Sequence, residues 1–177
     1  LSKIAVDLKV SIPVGKDSLS MRTKWSENNS DYEVSSPLSG VITAMAPVDD
    51  VTESVTPELN TSDDTCILMI KLNNKNRLAG SIFSEITETK YQQTPDIDNI
   101  EVFEKLFSGI QNLLKNKKIL AMHDISDGGL ITTLLEMCFT KKVGMRLNLD
   151  DSSGVNEFLF SEEIGFAIQI KKNNLDE

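Results

Sequence analysis

Residues 123–129 read His-Asp-Ile-Ser-Asp-Gly-Gly and concentrate more chemistry than any other stretch of the chain. Asp124 and Asp127 supply carboxylates, which can hold a hard cation such as Mg²⁺ through oxygen. Ser126 can donate a hydrogen bond to a phosphate oxygen. Gly128 and Gly129 let a backbone approach a ligand closely, and free amides at a helix start attract anions. The stretch therefore suits a nucleotide phosphate carried with Mg²⁺. A competing reading is an Asp or Ser helix cap followed by a glycine turn, which needs no ligand. His123 is the single histidine. Beside a strand end it reads as a packing or orienting group and not as a base. Asp127 reads either as a carboxylate supporting the site from behind or as a cap of the following helix.

A second polar turn is Gly15-Lys16-Asp17-Ser18-Leu19-Ser20-Met21. Lys16 is a mobile cation, Ser18 and Ser20 offer hydroxyls, and Gly15 permits an unusual backbone angle. The turn lacks the spacing of a P-loop, and a solvated hairpin turn has the same composition.

The elements that must position these residues follow from periodicity. Ile119–Met122 is an apolar run that reads as a strand, and Leu130, Ile131, Leu134, Leu135 and Cys138 follow helical spacing to about Thr140. Ile100, Phe103, Leu106, Phe107, Ile110, Leu113 and Leu114 predict another helix, with the two Phe in the core. Asp96 and Asp98 suit its start; Lys115, Lys117 and Lys118 suit its end. Cys66–Ile70 reads as a central apolar strand, Val143–Leu149 as an alternating strand and Ile164–Ile170 as a last strand. Ala79-Gly80-Ser81 can open a short helix, and residues 158–163 have a helical flavour, with Glu162 and Glu163 on a solvated face. Upstream, Ile4–Ile12 alternates loosely and predicts a strand. Glu27–Ser30 reads as a polar loop, and Val41–Ala46 as a buried strand. The acidic stretch Asp49–Asp64 is the best linker, which puts a domain boundary there. The order strand, helix, strand, helix, strand after residue 65 implies a layered α/β (α+β) domain.

Composition narrows the class. The 177 residues are 40% hydrophobic and 25% charged, enough for one ordinary domain or a small one plus part of another. A net charge of −9 argues against broad nucleic-acid binding, though a cation can still bridge carboxylates to a nucleotide. The sequence has no bilayer-length apolar run and no visible signal peptide. Cys66 and Cys138 sit among apolar neighbours and read as buried free thiols in a reducing compartment. Leu1 stands inside a running pattern and Glu177 soon after a strand, so the chain reads as a piece of something longer.

Taken in order, Gly15–Met21, Ser36-Pro37-Leu38, Val55-Thr56-Pro57, His123–Gly129, Glu136-Met137 and Glu162-Glu163-Ile164-Gly165 resemble the large form of phosphoribosylformylglycinamidine (FGAM) synthase. That family serves purine biosynthesis, and its subdomains belong to the aminoimidazole ribonucleotide synthetase superfamily. The resemblance spans essentially the whole chain. It implies that residues 1–54 end an A-type subdomain, the second of its enzyme. Residues 55–64 are then a linker and residues 65–177 a truncated B-type domain. It implies ATP/ADP and Mg²⁺ as cofactors, with Asp124 as metal ligand. Ser126, Gly128, Gly129, Gly15, Lys16, Asp17 and Ser18 are the implied nucleotide contacts, with no catalytic side chain. Implied partners are ATP, formylglycinamide ribonucleotide, upstream synthetase subdomains and a downstream glutaminase; nucleic acid and membrane are not expected. The implied location is cytoplasmic, and the piece alone is expected to be inactive. Ile125 stands where the family pattern has Arg, and Leu19 where it has Met; neither position supplies an oxygen ligand. The rivals are a structural nucleotide-binding module inside such an enzyme and another superfamily member, a selenophosphate synthetase or thiamine-phosphate kinase. A weaker one is a plain interaction domain.

Overall fold

The computed structural model describes residues 2–17, 21–37, 39–62, 64–149 and 154–175. The chain divides into two compact units, 1–51 and 52–177.

In the first unit, α1 (Ser2–Asp7) is a single short helix where the alternation of Ile4–Ile12 predicts a strand. Ile4 and Val6 are two apart, but no partner strand pairs with them among the described residues, and local i→i−4 bonding takes over, as in Leu8 N to Ile4 O at 2.9 Å. A hairpin follows, β1 (Arg22–Glu27) paired antiparallel with β2 (Ser30–Ser35). Its two-residue turn is Asn28-Asn29, with φ of 52° and 62°. Asn tolerates this left-handed backbone, and tight hairpins require it. Trp25 and Tyr32 face each other across the ladder and stack at 5.3 Å. Residues 41–46, expected as a buried strand, are exposed and outside any sheet.

The second unit carries the core. Its sheet has the order β3-β5-β4, with every pairing antiparallel: β3 (Thr65–Lys71), β4 (Ile119–Asp124) and β5 (Gly165–Lys171). The apolar run 66–70 predicts a central strand, but β5 takes the centre and leaves β3 half-buried at an edge. Helix α3 (Ile100–Lys115) covers one face, packing Ile110 with Ile119, Ile168 and Ile170. Asn99 caps it, accepting from the amides of Glu101 and Val102. Helix α4 (Gly129–Lys141) covers the other, packing Leu130, Leu134, Met137 and Cys138 with Ala121 and Ala167. The result is a three-layer α+β domain. Two sheet faces need two apolar helix stripes, and the 3.6-residue spacing of α3 and α4 supplies them. A bulge between Ile119 and Ala121 resets the alternation of β4. Ile119 and Met122 then both pack toward α3, while Ala121 packs toward α4.

Two short helices complete the unit, α2 (Ile82–Ile86) and α5 (Val155–Phe160). Phe83 and Phe160 join them by stacking at 4.7 Å. Two expectations fail here. Phe107 is 53% exposed, so of the Phe pair only Phe103 is half-buried. Residues 143–149 form no strand, although Val143 and Met145 pack against the α4 layer. Both cysteines are free thiols, Cys138 buried and Cys66 half-buried.

Helix α4 begins against the end of α5. A Cβ on Gly129 would stand 2.6 Å from the carbonyl carbon of Phe160, and the residue has φ of 74°. Gly129→Ala should therefore destabilise the domain by about 2 kcal/mol or more, since clash and left-handed strain add. Gly109 in α3 has nothing within 4 Å of such a Cβ. Gly109→Ala should stabilise by about 0.5–1 kcal/mol through helix propensity. Denaturant midpoints of the two variants check both signs.

Candidate nucleotide and metal site

Strand β4 carries the Asp-rich turn at its end. Asp124 has an exposed side chain, Ile125 is buried in the α4 layer, and Ser126 and Asp127 are exposed. The alternation explains Ile125: its side chain fills the core, with Leu130, Ala121 and Ala167 in the same cluster. Asp124 is fixed through its neighbours. Its carbonyl accepts from Thr133 Oγ1 at 3.0 Å, and its Oδ1 lies 3.3 Å from His123 Nδ1. The other ring nitrogen of His123 lies 2.8 Å from Glu136 Oε2. His123 thus bridges the strand end to α4 and orients the carboxylate beside it, as its position in sequence suggests.

The glycines do something different from the expectation of free amides. The Gly128 amide donates to Glu162 Oε1 at 2.8 Å, and the Gly129 amide donates to the Ser126 carbonyl at 3.0 Å. Gly128 has φ of 84° and begins α4 without a side-chain cap of its own. The carboxylate of Glu162 takes that place, where an anion at a helix start is favourable. The same Oε1 accepts from the Ile82 amide at 2.9 Å, so Glu162 ties the Asp-rich turn to the start of α2.

Glu163, the next residue, is 1% exposed and not part of a solvated face. Arg77 meets it with Nε to Oε1 at 2.5 Å and Nη2 to Oε2 at 2.7 Å. The Arg77 backbone amide and Asn73 Nδ2 complete its shell at 3.2 Å each. Arg77 also reaches the Asp96 carbonyl at 2.9 Å and Asp98 Oδ1 at 3.2 Å, and Lys75 holds Asp98 at 2.9 Å. Burial opposes ionisation of Glu163, but the hydrogen bonds from Arg77 and Asn73 outweigh it and hold the carboxyl below its ordinary value. The Arg77 guanidinium, hydrogen-bonded to Glu163, is driven further toward its charged form. Asp98 is lowered by its hydrogen bond from Lys75 and by the charge of Arg77. Lys71 is lowered by burial, against the pull of Glu163.

A metal would find two exposed carboxylates in the turn, Asp124 and Asp127, and of these Asp124 is the one oriented by His123. Among the described residues no group of three or more His, Cys, Asp or Glu side chains is gathered into a metal cage. That donor set fits Mg²⁺, which keeps waters and commonly takes one or two carboxylates plus phosphate oxygens. It does not fit a structural zinc site. Gly15, Lys16 and Asp17 lie in the other unit, on exposed coil after α1; Ser18 lies outside the described residues.

Two family models match this chain. The FGAR-AT PurM_N-like domain matches residues 1–47. The C-terminal domain of AIR synthase related protein matches residues 64–177. The chain belongs to the AIR synthase related protein family. With both matches together it is of the FGAM synthase type within the AIR synthetase superfamily, a purine-biosynthesis-type synthetase that uses nucleotide. Its three-layer α+β unit, with an all-antiparallel sheet, is consistent with that fold. No helix among the described residues is long and apolar enough to cross a membrane.

Within this AIR synthase related domain the Asp-rich turn is legible in the sequence, whereas Arg77, Asn73 and the separate duties of the two glutamates are not. Arg77 sits in a stretch that reads as a polar loop, and its partner is 86 residues away. The available signal was the Glu162-Glu163 pair just ahead of an apolar strand, an unusual place for adjacent charges.

Arg77→Ala should cost about 3–5 kcal/mol, because it strands a buried carboxylate. The pH dependence has a definite sign. A carboxyl whose folded pKa is depressed contributes stability that is present above its unfolded pKa and lost as pH falls through the folded one. Glu163 and Asp98 both have this sign. The wild type should therefore lose stability on acidification below about pH 4.5. Glu163→Gln should be less stable at neutral pH and show a shallower acid slope. Urea titrations across that range measure it.

Proposed function

We propose that the chain is part of an FGAM synthase, converting formylglycinamide ribonucleotide, glutamine and ATP to formylglycinamidine ribonucleotide, ADP, phosphate and glutamate. The observation that carries this reading is the pairing, on one chain, of an FGAR-AT PurM_N-like match at 1–47 with an AIR synthase related match at 64–177. The first match favours this enzyme over a selenophosphate synthetase or thiamine-phosphate kinase. On this reading residues 1–54 belong to an A-type subdomain, 55–64 to a linker and 65–177 to a B-type domain. A glutaminase and further synthetase subdomains of the same enzyme would be its partners, working in the cytoplasm.

The chemistry has a clear physical need. An amide carbon is a poor electrophile. Attack of the substrate amide oxygen on the γ-phosphorus of ATP releases ADP and makes an iminophosphate. Ammonia released from glutamine then adds to that carbon, and phosphate leaves with the former amide oxygen. The carbon–nitrogen bond of the amidine forms as the carbon–oxygen bond breaks. Mg²⁺ bound with the nucleotide neutralises charge on its phosphates.

This chain's part is to bind and orient. The Asp124 carboxylate would hold the cation, with His123 and Glu136 fixing its direction. The Ser126 hydroxyl would donate to a phosphate oxygen. Gly15, Lys16, Asp17 and Ser18 would contribute nucleotide contacts from the A-type segment. Gly128 and Gly129 would serve by shaping the turn, since their amides are engaged within the chain.

Asp124→Asn in the intact enzyme tests the assignment. It removes charge while keeping shape, so nucleotide affinity should fall about tenfold in Mg²⁺ and little in EDTA. Calorimetry giving equal affinities in Mg²⁺ would contradict Asp124 as ligand.

A further inference from the structure

Glu162 has no role in the proposed chemistry, yet its carboxylate is committed to two backbone amides from distant parts of the chain. One oxygen, Oε1, accepts from Gly128 at 2.8 Å and from Ile82 at 2.9 Å. The two donors are 46 residues apart and belong to different elements, the turn that opens α4 and the first residue of α2. Neither helix start offers a side chain of its own for this junction. Gly128 caps α4 with no side-chain hydrogen bond, and the Ser81 hydroxyl at the start of α2 is spent on the Ser84 amide and the Leu78 carbonyl.

Glu162 is itself held firmly from both sides. Ser161 donates to the Arg77 carbonyl at 3.3 Å, and Glu163 is locked into the Arg77 ion pair. The Ile164 carbonyl accepts from Leu72 at 2.9 Å. A flexible glutamate would make a poor anchor; one whose neighbours are buried and bonded loses little further freedom on forming its hydrogen bonds.

We propose that Glu162 is a positioning residue for the nucleotide site: by clamping the Gly128 amide to the start of α2, it sets where the turn carrying Asp124 and Ser126 stands. This rests on the reading of that turn as a nucleotide site. Exposed ligands need a rigid support to bind with defined geometry, and Asp124 and Ser126 are both exposed. The clamp needs an acceptor oxygen, not a negative charge. That separates it from a second role the same contact could have, a carboxylate that sits on an amide in competition with phosphate.

The test uses the intact enzyme and MgATP, with Glu162→Ala and Glu162→Gln. The alanine variant should weaken MgATP by about tenfold, the scale of one lost hydrogen bond to an ionised group. The glutamine variant keeps the oxygen and should recover affinity to within about threefold of wild type. Hydrogen exchange should speed up at residues 126–129 and 82–84 in the alanine variant and stay unchanged along Gly165–Lys171. Wild-type affinity in the alanine variant would overturn the role. Tighter binding by the glutamine variant would also overturn it, and would make Glu162 a competitor of phosphate. Faster exchange throughout the sheet would reduce Glu162 to a stability residue. If wild-type enzyme and Asp124→Asn bind MgATP equally, the reading of the turn has failed, and the role of Glu162 falls with it. If Asp124→Asn weakens MgATP and Glu162→Ala does not, only the positioning role has failed.

Discussion

The second unit depends on how five consecutive residues, Ser161–Gly165, are tied down at the entry to β5. Each makes a long-range bond, and two of them, Ser161 and Glu163, meet the same residue, Arg77. Ser161 reaches Arg77, Glu162 reaches Gly128 and Ile82, and Glu163 is enclosed by Arg77 and Asn73. Ile164 accepts from Leu72, and Gly165 from Ile125. The last two bonds lie beside the ladders of β5 with β3 and β4. The side chains of the first three set the loops at the sheet's end. Since β5 is the central strand, anything that fixes its entry fixes the phase of the whole sheet.

The Arg77–Glu163 pair is the costly part of that arrangement. Taking two charges out of water is unfavourable, and the pair succeeds because nearly every polar atom is matched: fork-to-fork contact, a backbone amide, an asparagine and a carbonyl. Among the described residues no buried side-chain nitrogen or oxygen lacks a partner. The network places two loops, 73–77 and 96–98, at the same end of the sheet. The chemistry-bearing turn is hung from it through Glu162.

What the sequence discloses and what it hides follow from the range of the interactions. Helix α3 is legible because Ile100, Phe103, Leu106, Ile110 and Leu114 repeat at 3.6-residue spacing, a signal complete within the segment. Strand β4, the turn at 126–129 and α4 are legible for the same reason. The hairpin at 22–35 is not, because its strands are polar and exposed on every residue; only Asn28-Asn29 marks it. The alternation of 143–149 resembles a strand, yet a strand exists only with a partner, and pairing is not written in one segment. The same holds for Ile4–Ile12, which folds as a short helix. Strand β3 is apolar enough for a central position, but β5 takes that position. At the site, Asp124 and Ser126 are legible as chemistry. Glu162 and Glu163 look like ordinary surface charge, because their partners lie 34 to 86 residues away.

The central claim is that the Asp124 turn receives a nucleotide with its metal in a purine-biosynthesis synthetase. The most direct measurement is a crystal structure of the intact enzyme with Mn²⁺ and a non-hydrolysable ATP analogue, using the anomalous signal to locate the metal. The account predicts a peak at coordination distance from the Asp124 carboxylate, sharing phosphate oxygens of the nucleotide, with Ser126 against a phosphate. Metal and nucleotide bound elsewhere, with Asp124 bare, would contradict it.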